Sequence, residues 1–213
     1  MPFWVGYSLN TPVIALLASP KPLSVDLASA AQQITQHLNV QLAVENAEDL
    51  AATYLMNGQQ LAAYAGDGPL NSDLFPRLLF HAPKATYTPN AEKAAVNIQE
   101  LRQYRTAFPN DIFKFNDSTS GLRAKKAWQA AGIFLEGNEA IRQGNSQKAL
   151  QDYIRAYKVD PSFSPSRGQL FQYALGNPDM YSTINQTLNP SDRERLRLIR
   201  QESQYNNMMR SNQ

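Results

Sequence analysis

The sequence predicts an α+β protein in two parts: a small region of β-hairpin and helices over residues 1–85, then an all-helical region over 86–213. Three observations carry that prediction. Runs of strand-forming residues gather at the start of the chain, at 3–7 and 13–18. Beyond Pro83 the apolar residues recur at helical spacing, and no convincing strand pattern follows. Within that helical part, residues 130–163 read as one helix–turn–helix unit with small residues where two helices would touch.

Taken in order, residues 3–18 form a β-hairpin pattern. Phe3, Trp4, Val5 and Tyr7 are strand formers, Ser8-Leu9-Asn10-Thr11-Pro12 carries turn chemistry, and Val13-Ile14-Ala15-Leu16-Leu17 returns. The return strand is apolar on both faces, which predicts burial in a sheet. Two strands do not make a stable sheet, so further strands are expected from elsewhere in the chain, from a partner or from a missing region. Asp26 is placed to cap a helix carrying Leu27, Ala30, Ile34 and Leu38. Asn46 caps a second helix holding Leu50, Tyr54 and Leu55 and stopped by Gly58, and a short third helix spans 59–65. Gly66-Asp67-Gly68-Pro69 then breaks the chain. Asn71-Ser72-Asp73 reads as a polar turn leading through Pro76 into an edge strand, Leu78-Leu79-Phe80.

In the second part, Thr88-Pro89 supplies a cap and a first-turn proline for a helix with Ala95, Ile98, Leu101 and Phe108. The turn-rich stretch Asn116-Asp117-Ser118-Thr119-Ser120-Gly121 precedes the helix–turn–helix unit. In that unit Gly137 and Ala140 give the first helix a small face, and Gly144 makes the turn. Ala149 and Ala156 let the second helix approach, Tyr153 fills the gap between the two, and Pro161 cannot continue a helix. Gly176-Asn177-Pro178 interrupts the helical pattern that follows. Ser191-Asp192-Arg193-Glu194 has the form of a capping box opening a last, basic helix.

Composition narrows the function classes. Twenty basic against eighteen acidic residues leave a formal charge of +2, too small to imply a nucleic-acid partner. The absence of cysteine excludes disulfides and thiolate chemistry. The two histidines, His37 and His81, are far apart and have no neighbours at ligand spacing, so no metal site is expected. The apolar run 13–18 is too short to cross a bilayer, and no Lys or Arg precedes Lys21. A buried strand is therefore expected there, and not a signal peptide.

The pattern at 130–163 resembles a tetratricopeptide unit of about 34 residues. That resemblance implies a helical hairpin and no particular chemistry. One unit offers little concave surface, so the hairpin is expected to serve packing or dimerisation.

Three stretches of the first part, Trp4-Val5-Gly6, Pro12-Val13-Ile14-Ala15-Leu16-Leu17-Ala18-Ser19 and Pro22-Leu23-Ser24-Val25-Asp26, resemble the end of a bacterial spermidine synthase-like domain. In that family the last hairpin of a methyltransferase-like α/β sheet is followed by helices and a closing segment, Leu-Asn-Thr-Asp-Asp-x-Pro-x-Leu-Glu-Phe. Here Leu70, Asn71, Asp73, Pro76, Leu78 and Phe80 match it, while Leu74 and Leu79 replace its second aspartate and its glutamate. The family's glycine-rich cofactor loop and catalytic acids have no counterpart in this sequence and would lie before Met1. The resemblance therefore implies no catalytic, cofactor-binding or metal-binding residue here, and no bound cofactor.

The function expected is a non-catalytic C-terminal portion of a spermidine synthase-like protein whose helical tail serves assembly or protein interaction. The alternative is a stand-alone tetratricopeptide-type interaction module. Either takes a protein partner or a second copy of the chain, without nucleic acid or a membrane span. A cytoplasmic location follows, attachment to a membrane-embedded region staying open for a longer form. Trp4, Tyr7 and Asp73 are the candidates for a substrate-side or interface role, against core packing for the aromatics and a turn for the aspartate. Asp67, Glu45, Glu48 and Asp49 read as turn or cap residues. Arg193, Arg197 and Arg200 read as a solvated face that could otherwise meet an acidic partner.

Overall fold

A computed structural model describes residues 3–7, 14–36, 45–67 and 99–211; of these, the side chains of 3–7, 14–15, 206–208 and 210–211 are not described. The fold is mainly helical α+β. The expected hairpin is present as β1 (Phe3–Tyr7) and β2 (Ile14–Ala18), paired antiparallel with Val5 opposite Leu16, but β2 is the edge strand and its Leu16 and Leu17 are exposed, not buried as the apolar run predicts. The third strand comes from this chain, and from a stretch whose spacing predicts helix. The helix capped by Asn46, α2 (Ala47–Ala52), ends at Thr53, and Tyr54 and Leu55 lie instead in β4 (Tyr54–Asn57).

β4 pairs antiparallel with β1, giving the order β2-β1-β4, with an irregularity in register between Val5 and Gly6. Tertiary pairing overrides the helical spacing here. Continuing α2 would leave one side of β1 without a partner, and in β4 Leu55 and Met56 become fully buried. Asn57 then caps α3 (Gly58–Ala65) in a reciprocal box: Gln60 N–H donates to Asn57 Oδ1 and Asn57 N–H to Gln60 Oε1, each at 2.9 Å. Gly58 thus opens a helix where it was expected to stop one.

The first helix, α1 (Leu27–Gln36), starts where Asp26 accepts from the Ala28 N–H at 3.1 Å, as its sequence predicts. A two-residue strand before it, β3 (Val25–Asp26), pairs parallel with β5 (Phe113–Lys114). The edge strand at 78–80, the turn around Asp73, His37, His81 and the boundary near residue 85 lie outside the described residues. Of the helix expected after Thr88-Pro89, the described part runs over 99–103 and buries Leu101. Phe108 lies beyond it, stacked on Phe113 and Phe115 in an aromatic cluster.

Five helices complete the chain: α4 (Ser118–Arg142), α5 (Ser146–Val159), α6 (Ser164–Gly176), α7 (Pro178–Thr187) and α8 (Pro190–Ser211). The stretch expected as a turn at 116–121 is mostly the first turn of α4, because Asp117 caps it by accepting from the Ser120 N–H at 2.8 Å. The last helix likewise opens earlier than its apparent box. Asn189 accepts from the Asp192 N–H at 2.8 Å, so Ser191 is already helical. The break at Gly176-Asn177-Pro178 falls between α6 and α7, as expected.

Helix α4 is the spine. Its alanines and large apolar residues point to more than one side, and it contributes to three apolar clusters. Ala124 meets Leu27, Tyr54 and Phe113, while Leu135 meets Leu55, Met56 and Leu101. Phe134 belongs to the main cluster with Tyr153, Phe163, Leu170, Ile184 and Leu196. No helix among the described residues is long and apolar enough to cross a membrane.

Candidate functional site

The residues singled out in the helix–turn–helix unit converge between α4 and α5. Gly144 takes a φ of 77°, the left-handed turn a glycine allows, and Asn145 then caps α5 by accepting from the Lys148 N–H at 3.0 Å. Gly137 lies against the Tyr153 ring so closely that a Cβ there would stand 2.5 Å from Tyr153 Cε1. Ala140, Ala149 and Ala156 are fully buried at the same contact. The Tyr153 hydroxyl donates to Asn138 Oδ1 at 2.9 Å, and its ring lies 5.1 Å from that of Phe134. Burial pushes the pKa of this phenol above its ordinary value. Pro161 is exposed in the turn after α5, beside Asp160, whose Oδ1 accepts from both the N–H and the hydroxyl of Ser162.

The remaining candidates do not gather with these. Trp4 and Tyr7 sit in β1 as backbone, their side chains outside the description, and Asp73 lies outside the described residues. The three arginines of α8 singled out in the sequence each find a partner within the chain. Arg193 Nε donates to the Leu188 carbonyl at 2.7 Å, Arg197 pairs with Glu194 at 2.6 Å, and Arg200 lies 4.1 Å over the Tyr181 ring.

Two polar constellations escape a sequence reading because their members are far apart in the chain. The first is a seam between α2 and α6. Helix α6 has no side-chain cap of its own at Phe163. Asp49 supplies the missing acceptor from 115 residues away: its carboxylate takes the Ser164 hydroxyl and, at 3.4 Å, the Ser164 N–H. The same carboxylate accepts from the Glu45 N–H at 3.2 Å, and Asn46 Nδ2 donates to the Ser162 carbonyl at 3.3 Å. Asp49 has no solvent exposure, and burial pushes its pKa up to about 6 against the opposing hydrogen bonds. Nearby, Arg167 pairs with Glu45 and reaches Asp192 at 3.8 Å, and the Tyr157 hydroxyl donates to Asp192 at 2.6 Å.

The second constellation is a cleft of about 370 Å³ between the 99–105 segment and α4, lined by Arg102, Arg105, Trp128, Gln129, Gly132, Ile133 and Glu136. The Trp128 indole N–H donates to the Tyr54 carbonyl at 3.2 Å, which fixes the ring. The Arg105 guanidinium stacks 4.0 Å over that ring, and its Nη2 donates to the carbonyls of Ala52, at 3.2 Å, and Trp128. Ala52 closes α2, so the cation also meets the negative end of that helix. Arg102 is held differently, by Glu136 at 2.6 Å and Glu139 at 2.8 Å.

The chemistry these groups offer is recognition of a polar or anionic partner. Among the described residues no three His, Cys, Asp or Glu side chains stand close enough to hold a metal ion. Comparison with known proteins returns no matching family model, no matching curated protein and no matching solved structure.

Proposed function

We propose that this chain is a non-catalytic assembly and protein-interaction unit, the C-terminal portion of a spermidine synthase-like protein, and that its partner is a second copy of itself. The observation that carries the assembly reading is β2. It lies at one edge of the three-stranded sheet, and its Leu16 and Leu17, on opposite faces, are 62% and 45% exposed. An apolar strand whose outer edge pairs with no other described strand is a template for another strand. Two copies meeting about a two-fold axis would cover both edges with one antiparallel contact. The exposed Leu198, Tyr205 and Met209, spaced along one face of α8, add a second apolar surface. The antiparallel β1–β2 pair, at the place where the family resemblance expects its last hairpin, supports the link to that family.

Sedimentation at micromolar concentration is expected to give twice the chain mass of 23.8 kDa, and Leu16→Lys to give the monomer. A monomer throughout for the parent chain defeats the assembly reading. Calorimetry is expected to show no binding of decarboxylated S-adenosylmethionine to the chain, and saturable binding would overturn the non-catalytic reading.

A second reading, a stand-alone tetratricopeptide-type interaction module, is favoured by the close approach of Gly137 to Tyr153. In that case the exposed apolar residues of α4–α8, such as Ile141, Leu175 and Met180, and not β2, are the ones whose Lys substitutions should disable binding.

A further inference from the structure

Arg105 carries donors that no described residue accepts from. A guanidinium has five N–H groups. The side-chain hydrogen bonds Arg105 makes among the described residues both leave from Nη2, toward the Ala52 and Trp128 carbonyls, and no carboxylate there pairs with it. Its neighbour Arg102, by contrast, is matched to two glutamates. The unused Nη1 stands at the Gly132 wall of the cleft, 2.8 Å from where a Cβ on that residue would be. Glycine at 132 therefore lets the guanidinium lie directly against α4 at the wall of the cleft. Burial, and then the charge of Arg102, bring the pKa of Arg105 down to about 9. An anion seated at Nη1 would offset both effects.

The tie to Ala52 and Trp128 explains Nη2 and the stacking on the indole, and Gly132 admits the guanidinium against α4. Among the described residues nothing accepts from Nη1 or fills the cleft beside it. We propose that this cleft binds a small organic monocarboxylate, its oxygens on the open edge of Arg105 and its apolar body against Gly132 and Ile133. A planar guanidinium fork matches the two oxygens of a carboxylate. The charges around the cleft favour a monoanion, since Arg102 is already matched by Glu136 and Glu139, which leaves the single charge of Arg105 to meet the ligand, and Glu136 repels a second negative charge. The volume, about 370 Å³, is at the small end of the range of ligand pockets. The site does not depend on the assembly reading, because β2 takes no part in it.

The experiment is a titration of the isotope-labelled chain with benzoate, followed at the Trp128 indole N–H and the Arg105 guanidinium by NMR. Benzamide serves as the neutral isostere and inorganic phosphate as the competing anion. Benzoate is expected to give saturable shifts of both groups, benzamide none, and phosphate weaker ones. Arg105→Gln is expected to abolish the response, but it also cuts the ties to Ala52 and Trp128. Gly132→Ala is the second variant: its methyl would stand 2.8 Å from Nη1, pushing the guanidinium from its place at the cleft wall, and is expected to weaken benzoate at least about tenfold. Thermal melts establish that each variant is folded. Failure of benzoate to saturate, an equal response to benzamide, a preference for phosphate, or undiminished affinity in folded Gly132→Ala overturns the proposal.

Discussion

Phe134→Ala is expected to lower the unfolding free energy by about 3–5 kcal/mol, the usual cost of emptying a core aromatic site. Phe134 is fully buried, and its ring stands 5.1 Å from Tyr153 and 5.8 Å from Phe163. These three rings come from α4, from α5 and from the turn into α6, so the vacated space borders three segments at once. Phe134→Leu keeps most of the volume and should cost less than about 1.5 kcal/mol. Urea melts read at constant slope measure both. Equal losses for the two variants would mean that the rings do not form the packed joint described.

The second expectation is a stability profile that runs against the usual acid trend. Asp49 has a folded pKa near 6, raised by burial, and an ordinary value of 3.8. Between those two pH values the folded chain holds a proton that the unfolded chain has released. The group's contribution is therefore fully present below 3.8 and is lost as pH rises through 6. The span of the shift corresponds to about 3 kcal/mol as an order of magnitude. Asp26, Asp117 and Glu194 move the other way, their pKa values lowered mainly by hydrogen bonds. Their contributions are lost as pH falls below the ordinary carboxylate range, which separates the two windows. Asp49→Asn removes the titration and leaves the shape nearly unchanged, so the difference between wild-type and variant stability should decline across the upper window. Parallel profiles would show that Arg167, the nearest cation, compensates the buried charge fully.

Where a feature depends on one turn of backbone, the residues announced it. Asp26 and Asn46 cap the helices they were expected to cap, and Gly144 makes the positive-φ turn. Pro178 restarts the chain as a separate helix. Each of these is settled within about four residues, by a side chain reaching its neighbours' N–H groups or by a dihedral that only glycine adopts freely. The small face of α4 was legible for a similar reason, since Gly137 and Ala140 share a helical face by periodicity alone.

Other features were decided only in three dimensions. Tyr54 and Leu55 satisfy a helical spacing, yet they lie in a strand that pairs with β1, because β1 had an unused edge far outside any local window: Trp4 stands opposite Asn57, 53 residues later. Asp49 looks like an ordinary first-turn acid until Ser164 arrives against it across 115 residues. Arg105 and Trp128 belong to different segments, and their stacking, the tie to Ala52 and the open cleft exist only after α2 and α4 have packed. A side chain's local preferences are written in its neighbours. Burial, the loss of solvent and the choice among distant partners are properties of the packed molecule, and they determined which of these polar residues became buried, paired or left open to a ligand.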